Sequence, residues 1–375
     1  MAALIFFTFG LGVMMSRRKE NLAKAPQVIK KIMLLKLSVS STEQVLKWKN
    51  KFFSIAVLLI FLADSAFAKP GNKGVFGVVF ENDLFTGKDA GYTNGIRFSY
   101  TSSEEQMPAF IRNASNYLPL LNRDGKKRIT AALGQSMYTP QDITKSDFTA
   151  NDFFYAGWLY GSLGIISDAE TMFDNVVLTL GMVGPSAQAE QSQKFVHKVV
   201  GSSEPHGWSH QLKDEFGVML SYERHWRDFV FSKKGGFGFD VMPGVGVTVG
   251  NINTSASVAA TFRYGYDLPA DYGPPKISST ISGSDFFNPT KKLSGYLFTT
   301  FEARAVARNI FLDGNSFQNS SSLDKKLLVG SAQIGAAIIY KEVRLSFVNS
   351  ISTRQFKGSS KTYDHFGGVT LSYRF

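Results

Sequence analysis

The sequence predicts an all-β protein: a closed antiparallel transmembrane β-barrel of about 12 strands, with long extracellular loops that carry short helical segments. Three observations predict this fold. Apolar and polar residues alternate in about twelve segments, several of them long enough for a tilted strand to cross a bilayer. A secretory signal precedes these segments, and the chain ends on an aromatic residue, Phe375. A soluble β-sandwich is the alternative, but only closed barrels leave no strand edge unpaired in hydrocarbon.

The composition excludes several kinds of site. The 375 residues include 33 Phe and 34 Gly but no Cys, which is typical of a β-rich chain and excludes disulfides, thiol nucleophiles and zinc–thiolate sites. Of the net charge of +11, seven charges fall within residues 1–68. The remainder of the chain is close to neutral, so the charge does not indicate a nucleic-acid partner.

Residues 1–68 are predicted to be an N-terminal extension and a secretory signal peptide, cleaved after Ala68. The apolar run 52–63 follows several lysines, is short for a membrane span and precedes an A-x-A cleavage site. The region before it has two interpretations. We favour an over-extended start with true initiation near Met33, and an anchor helix is the alternative. Residues 69–375 are predicted to form the outer-membrane barrel, with the active site at its extracellular mouth.

The strand-like segments also predict which loops meet. They lie near 74–82, 92–102, 127–138, 153–166, 168–182, 213–231, 236–250, 253–268, 294–308, 323–340, 342–355 and 362–375. With a periplasmic N-terminus, connections 1–2, 3–4 and 5–6 lie together on the extracellular side. These three are rich in polar residues. The long connection 269–293 is expected on the periplasmic side, where we assign it no chemistry.

The candidate chemistry centres on one histidine. Residues 187–200 have helical character, and Gln193 and His197 are four apart, so they share a helix face. Histidine is the commonest general base near neutral pH. The first connection supplies Asn82, Asp83 and Thr93, and the alternation of strand 2 predicts that Thr93 points into the lumen. Because the strand order brings His197 and these residues to the same rim, we predict that they form a catalytic group.

Other common catalytic classes find little support. The sequence has no G-x-S-x-G elbow and no phosphate-binding loop, which leaves a His-activated water as the nucleophile. His206 and His210 are four apart, but Pro205 and Gly207 disfavour a helix there, so a zinc site is a weak alternative. Oxygen donors are abundant, and hard oxygen ligands suit Ca²⁺.

Six segments occur in an order that resembles the LpxR-type lipid A 3′-O-deacylases. They are "ENDLF", "YTNGIRFSY", "GQSMYTPQD", "YAGWLYG", "VGPSAQAEQSQKFVH" and "GWSHQL". The resemblance implies a twelve-stranded barrel in the outer membrane of a Gram-negative bacterium, with its active site facing the outer leaflet. It also implies Ca²⁺-dependent hydrolysis of the 3′-linked acyloxyacyl ester of lipid A, the lipid anchor of lipopolysaccharide.

The resemblance also implies roles for individual residues. The implied catalytic residues are His197, Asp83, Asn82, Thr93 and Gln193. We expect Lys145 and Tyr138 to bind substrate, and Asp83 and Glu204 to bind the metal, with Ser203 as the alternative to Glu204. We further expect the protein to be a monomer, and we expect the barrel-assembly machinery to recognise its terminal Phe375 and insert it into the outer membrane. An outer-membrane phospholipase or other lipid esterase stays open as an alternative, as does a porin or adhesin without enzymatic activity.

Overall fold

One antiparallel sheet forms the wall of the molecule. This computed structural model describes residues 74–83, 91–104, 106–146, 151–227, 229–277, 283–289, 291–359 and 362–375. Within them the strands are β1 Val75–Asn82, β2 Gly91–Thr101, β3 Lys126–Thr139, β4 Ala156–Ala169, β5 Met172–Val183, β6 Glu215–Trp226, β7 Val230–Lys234, β8 Phe237–Gly250, β9 Asn253–Tyr266, β10 Leu293–Asn309, β11 Leu328–Tyr340, β12 Val343–Thr353 and β13 Tyr363–Arg374. The predicted extension and signal peptide, with cleavage after Ala68, lie outside the described residues.

The sheet closes on itself. β1 pairs with β13 along its whole length, and β6 pairs with β8. The short β7 also pairs with β8, further along that strand, so β6 and β7 share one position in the wall. The described strands therefore form a closed barrel of twelve positions, which confirms the predicted fold class. The segment 213–231, predicted as one strand, is divided in two because its pairing with β5 ends at Trp226.

Side chains follow the pattern expected of a barrel in hydrocarbon. On β12, Arg344 and Ser346 are buried, whereas Leu345 and Phe347 are 37% and 40% exposed. Exposed leucine and valine side chains recur around the outer face of the wall: Leu133, Leu163, Leu178, Leu220, Val249 and Leu297. Polar residues inside and apolar residues outside are the arrangement of a membrane barrel. We call this outer surface the apolar band.

The connection between β9 and β10 folds back into the lumen. Its Asp271 is fully buried and accepts hydrogen bonds from three side chains of the wall. Arg263 is one donor, Arg344 donates from Nη1 at 2.9 Å, and Tyr296 donates from Oη at 3.2 Å. A buried carboxylate needs such partners, because burial of an uncompensated charge is strongly unfavourable. Asp271 therefore ties the connection to the inner wall.

The same connection continues across the lumen towards β1 and β11. Lys276 donates from Nζ to Oε1 of Gln333 at 2.6 Å, and the backbone N–H of Ile277 donates to Oε1 of Glu81 at 2.9 Å. The prediction left residues 269–293 at the periplasmic end without a role. The connection does start and end at the barrel end opposite the β1–β2, β3–β4 and β5–β6 connections, but the buried charges of the inner wall draw it inside, where it fills part of the barrel.

The connections at one end of the barrel carry the residues of interest. We call the end with the β1–β2, β3–β4 and β5–β6 connections the upper rim. The described helices are α1 Ala109–Ser115, α2 Ala189–Val200 and α3 Ile310–Asp313, with 3₁₀ turns at Pro185–Ala187 and Trp208–His210. Helix α2 coincides with the helical stretch predicted between β5 and β6. No helix in the described part of the chain is long and apolar enough to cross a membrane.

Candidate active site

Helix α2 packs on the outer face of the barrel wall, at the upper rim. Tyr138 of β3 lines the lumen, so the alternate residues Gln135 and Met137 face outward. Gln135 donates from Nε2 to the carbonyl oxygen of Ala187 at 2.7 Å, and Met137 belongs to a buried cluster that includes Ala189 of α2. The helix therefore lies outside the lumen, next to the apolar band.

A glycine allows α2 to approach the wall closely. A Cβ atom at Gly157 of β4 would lie 2.6 Å from the Cβ of Ala189 and 3.0 Å from the Cβ of Ala187. Ordinary carbon–carbon contacts are about 3.5–4.0 Å. Small residues on both sides of this contact therefore set the distance between the helix and the wall.

One stripe of α2 faces the wall and another is exposed. Ala189 and Gln193 are 1% and 2% exposed, and His197 is half-buried. These three positions recur every four residues, so they share a helix face. An edge on the side of the helix away from the wall carries Phe195 and Val199, which are 69% and 63% exposed. We call this edge, with Val196 between them, the apolar edge of α2.

The ring of His197 is oriented by the backbone. Its Nδ1 lies 2.5 Å from the carbonyl oxygen of Ser203. A carbonyl oxygen only accepts hydrogen bonds, so Nδ1 carries the proton and the lone pair of the neutral ring is at Nε2. That tautomer is suited to a general base. Glu204 follows Ser203 and is the expected metal ligand. Its side chain is exposed, so it does not orient the ring through a buried contact.

Gln193 is held by an aromatic side chain. Trp208 donates from Nε1 to Oε1 of Gln193 at 2.8 Å, and both side chains are 2% exposed. The Trp208 ring packs on Tyr155 with ring centroids 4.8 Å apart, and Tyr155 donates from Oη to the carbonyl oxygen of Ile143 at 3.1 Å. These contacts join the β3–β4 and β5–β6 connections, which were predicted to meet at one rim.

Thr93 lies at a β-bulge. The register between β2 and β3 shifts between Tyr92 and Asn94, which leaves Thr93 as the extra residue. Its Oγ1 lies 2.7 Å from Oγ1 of Thr139, and Thr139 shares the outer face of β3 with Met137. The prediction that Thr93 points into the lumen is therefore wrong. The bulge breaks the alternation of β2 and turns this side chain towards the face on which α2 lies.

Asn82 and Asp83 stand beside Thr93. Asn82 ends β1 and is opposite Asn94, the residue that follows Thr93. Asp83 is fully buried. The rest of the β1–β2 connection, residues 84–90, is not among those described. The first connection therefore contributes a buried carboxylate and an amide at the same part of the rim as the bulge.

The donor set around Asp83 suits a hard cation. Asp83, Asn82 and Thr93 offer carboxylate, amide and hydroxyl oxygens, and Ca²⁺ prefers oxygen ligands. The described residues contain no group of three or more His, Asp or Glu placed to hold a metal. Additional ligands would therefore be carbonyl, amide or hydroxyl oxygens. The zinc alternative at His206 and His210 gains no support.

Lys145 is exposed on the β3–β4 connection. Its Nζ lies 3.5 Å from Oδ2 of Asp142. The hydrogen bond from the Thr144 hydroxyl lowers the pKa of the Asp142 carboxyl, which keeps this partner charged. Exposed ion pairs contribute little free energy, so Lys145 is able to exchange Asp142 for another anion. Ile143, two residues earlier, packs in the same cluster as Trp208, so Lys145 lies on the α2 side of the rim.

Tyr138 lies on the other side of the wall. Its ring stacks on Phe311 with centroids 4.0 Å apart and meets Tyr92 edge-on at 5.5 Å. This places Tyr138 in the lumen, on the face of β3 opposite Met137. The two residues expected to bind substrate, Lys145 and Tyr138, are therefore not brought together.

Three contact residues were not singled out from the sequence: Trp208, Thr139 and Gly157. Trp208 belongs to the segment "GWSHQL", so the motif itself was the available signal. No local pattern marks Thr139 or Gly157, because their contacts depend on the bulge in β2 and on the packing of α2.

One comparison with a solved structure supports the fold, and two further barrels match at lower TM-scores. LpxR from Salmonella typhimurium matches with a TM-score of 0.66 at 17% sequence identity, covering 80% of this chain and 99% of that chain. The β domain of the Bordetella autotransporter BrkA has a TM-score of 0.37 at 10% identity, covering 81% of this chain and 98% of that chain. The translocator domain of the autotransporter NalP from Neisseria meningitidis has a TM-score of 0.30 at 10% identity, with coverages of 89% and 97%.

A family comparison assigns the sequence. A search of curated proteins finds no match. The family model described as "Outer membrane protein LpxR" matches residues 52–375. That span is most of the chain and includes every strand that the structure describes, α2 and the candidate site. The chain belongs to the LpxR family of outer membrane proteins.

Proposed function

We propose that this protein is an outer-membrane esterase that hydrolyses the 3′-linked acyloxyacyl ester of lipid A. One observation carries the proposal. The candidate residues on α2 and at the Thr93 bulge lie on the outer, lipid-facing side of the wall, not in the lumen. A water-soluble substrate would be expected to bind in the lumen or at the open rim. A site between a helix and the outer wall suits a substrate that is itself a membrane lipid.

The apolar surroundings of α2 support a lipid substrate. The apolar edge exposes Phe195 and Val199. Leu133, the outward position of β3 just before Gln135, is 59% exposed. Consecutive outward positions are about 7 Å apart along a strand. The apolar band therefore continues up to the contact of α2 with the wall, and acyl chains of a lipid would lie along it.

The chemistry that we propose is general-base hydrolysis. Nε2 of His197 takes a proton from a water molecule, whose oxygen attacks the ester carbonyl carbon. The tetrahedral oxyanion accepts a hydrogen bond from the side-chain amide of Gln193. The C–O bond to the leaving hydroxyl then breaks, and this oxygen takes the proton from His197. The products are the free acyloxyacyl acid, whose secondary ester stays intact, and a lipid A with a hydroxyl at the 3′ position.

Two further parts of the proposal concern charge. Asp83, Asn82 and Thr93 would hold Ca²⁺, which when bound supplies positive charge for the developing oxyanion. Lys145 would bind an anionic group of the lipid A head group, in place of Asp142. Glu204 is exposed, whereas Asp83 is buried beside Asn82 and Thr93, so we propose Asp83 as the main metal ligand.

Location and partners follow from the same arrangement. We propose that the upper rim faces the cell exterior, which places α2 in the outer leaflet where lipid A resides. The protein would act as a monomer, and Phe375 would direct its assembly by the barrel-assembly machinery. The β9–β10 connection occupies the lumen, with Asp271, Lys276 and Ile277 bound to the inner wall. This argues against the porin alternative.

Mass spectrometry of lipid A tests the proposal. Cells that express the protein should contain lipid A lacking the 3′ acyloxyacyl group. In His197→Ala the rate should fall by roughly 10²–10⁴-fold, the usual contribution of a general base. His210→Ala is the matched control, because His210 is an exposed histidine on the same connection.

The outcomes separate the alternatives. Unchanged lipid A together with loss of phospholipid acyl chains would favour the phospholipase. Unchanged lipid A and phospholipid, with the protein folded in the outer membrane, would favour a barrel without enzymatic activity. Equal loss of activity in His197→Ala and His210→Ala would remove His197 from the role of base.

A further inference from the structure

The hydrogen bond between Trp208 and Gln193 assigns a role to a residue outside the catalytic group. We propose that Trp208 is a positioning residue that fixes the orientation of the Gln193 side-chain amide and so aims its NH₂ group at the reacting ester. This inference rests on the proposed function for its catalytic consequence. The orientation itself rests only on contacts within α2 and its surroundings.

The chemistry of the indole decides which way the amide faces. The two ends of a glutamine amide are similar in shape, so hydrogen-bond partners determine their assignment. The indole Nε1–H of Trp208 is a donor and has no capacity to accept. It lies 2.8 Å from the amide, so the end that faces it must be the oxygen, Oε1. The NH₂ group of Gln193 must then point away from Trp208.

The NH₂ group is buried, and its capacity to donate is unused in the described part of the chain. Gln193 is 2% exposed, and among the described residues its Nε2 has no hydrogen-bond partner. A buried donor without a partner is rare in folded proteins and calls for an explanation. A donor aimed at the place where negative charge develops is the arrangement of an oxyanion hole. The ester carbonyl of the substrate is the acceptor that we assign to it.

Trp208 is rigidly placed for this task. Its ring packs on Tyr155, which is 4% exposed and hydrogen-bonded to the backbone of Ile143. Both belong to the buried cluster that also contains Met137 of β3 and Ala189 of α2. Trp208 therefore holds the Gln193 amide in a fixed orientation relative to the barrel wall, and not only relative to the helix that carries it.

Substitutions separate positioning from packing. Trp208→Phe removes the N–H but keeps an aromatic ring, and we expect kcat to fall by about tenfold with little change in KM, because a net hydrogen bond is worth roughly that factor. Gln193→Glu still accepts from Trp208 but has no N–H to donate, so it should lose about 10²–10³-fold in kcat, like the loss of an oxyanion donor. Trp226→Phe, at the end of β6, is the matched control and should keep full activity.

A double substitution gives the decisive comparison. In Gln193→Glu, adding Trp208→Phe should cause no further loss of kcat, because the amide whose orientation it sets is gone. Independent losses that multiply would overturn the proposal, since Trp208 would then act through packing alone. Unchanged kcat in Trp208→Phe would overturn it as well.

A spectroscopic readout keeps this proposal distinct from the proposed function. In detergent-solubilised protein, the NMR resonance of the Trp208 indole N–H should shift upfield in Gln193→Ala, while that of Trp226 should not. This result is expected even if wild-type protein does not hydrolyse lipid A. An unmoved Trp208 resonance would show that the hydrogen bond is absent and would overturn the proposal, whatever the activity.

Discussion

Gly157→Ala is the smallest change that should move α2 away from the wall. The new methyl group would lie 2.6 Å from the Cβ of Ala189, about 1 Å inside an ordinary carbon–carbon contact. Ala189 has no flexible side chain to move aside. The start of α2 must therefore shift outward by up to about 1 Å, together with Gln193 and His197 further along the helix.

The expected effect is on catalysis more than on folding. A misplacement of about 1 Å is able to lower a rate by about 10²-fold, because reacting atoms lose their alignment. The contact lies outside the barrel, so the hydrogen bonds of the wall stay intact and the protein should still show the heat-dependent gel mobility of a folded barrel. We expect Gly157→Ala to lower the rate of lipid A hydrolysis by about 10²-fold.

Gly161→Ala is the matched control for this experiment. Gly161 faces outward on the same strand, but a Cβ there would meet only the carbonyl oxygen of Ala132, at an ordinary 3.9 Å. Its activity should equal that of the wild type. The reasoning is refuted if purified, folded Gly157→Ala hydrolyses lipid A within about twofold of the wild-type rate, or if Gly161→Ala loses as much activity.

Two further predictions concern the lumen. Asp271→Asn removes the carboxylate that Arg263 and Arg344 share, and breaking a buried ion pair costs about 3–5 kcal/mol. The barrel should therefore unfold at a lower temperature in a heat-modifiability gel. Asp324→Asn, in an exposed ion pair, should leave the unfolding temperature unchanged. Because the β9–β10 connection occupies the lumen, the wild-type protein in planar bilayers should show no stepwise conductance, and porin-like steps would contradict this account.

Features with a local cause were predictable from the sequence. Alternation along a strand is local, so the twelve strand positions of the barrel were predictable, and the strand order brought the β3–β4 and β5–β6 connections to one rim. The four-residue spacing of Gln193 and His197 is equally local and requires only the helix.

Features with a non-local cause were not predictable. Thr93 turns outward because the bulge in β2 adds one residue to the pairing with β3, and nothing in "YTNGI" signals that addition. The β9–β10 connection enters the lumen because Asp271 meets Arg263 of the preceding strand and Arg344 of β12, which is 73 residues away in sequence. Trp208 reaches Gln193 only once α2 has packed on the outer wall.

The central claim is that a site on the outer face of the wall hydrolyses lipid A. The most direct test incubates purified, folded protein with lipid A in mixed micelles containing Ca²⁺ and records the products by mass spectrometry. We predict release of the 3′ acyloxyacyl group by the wild type, and no release by His197→Ala or after chelation of the cation. Intact lipid A after incubation with folded wild-type protein and Ca²⁺ would contradict the account.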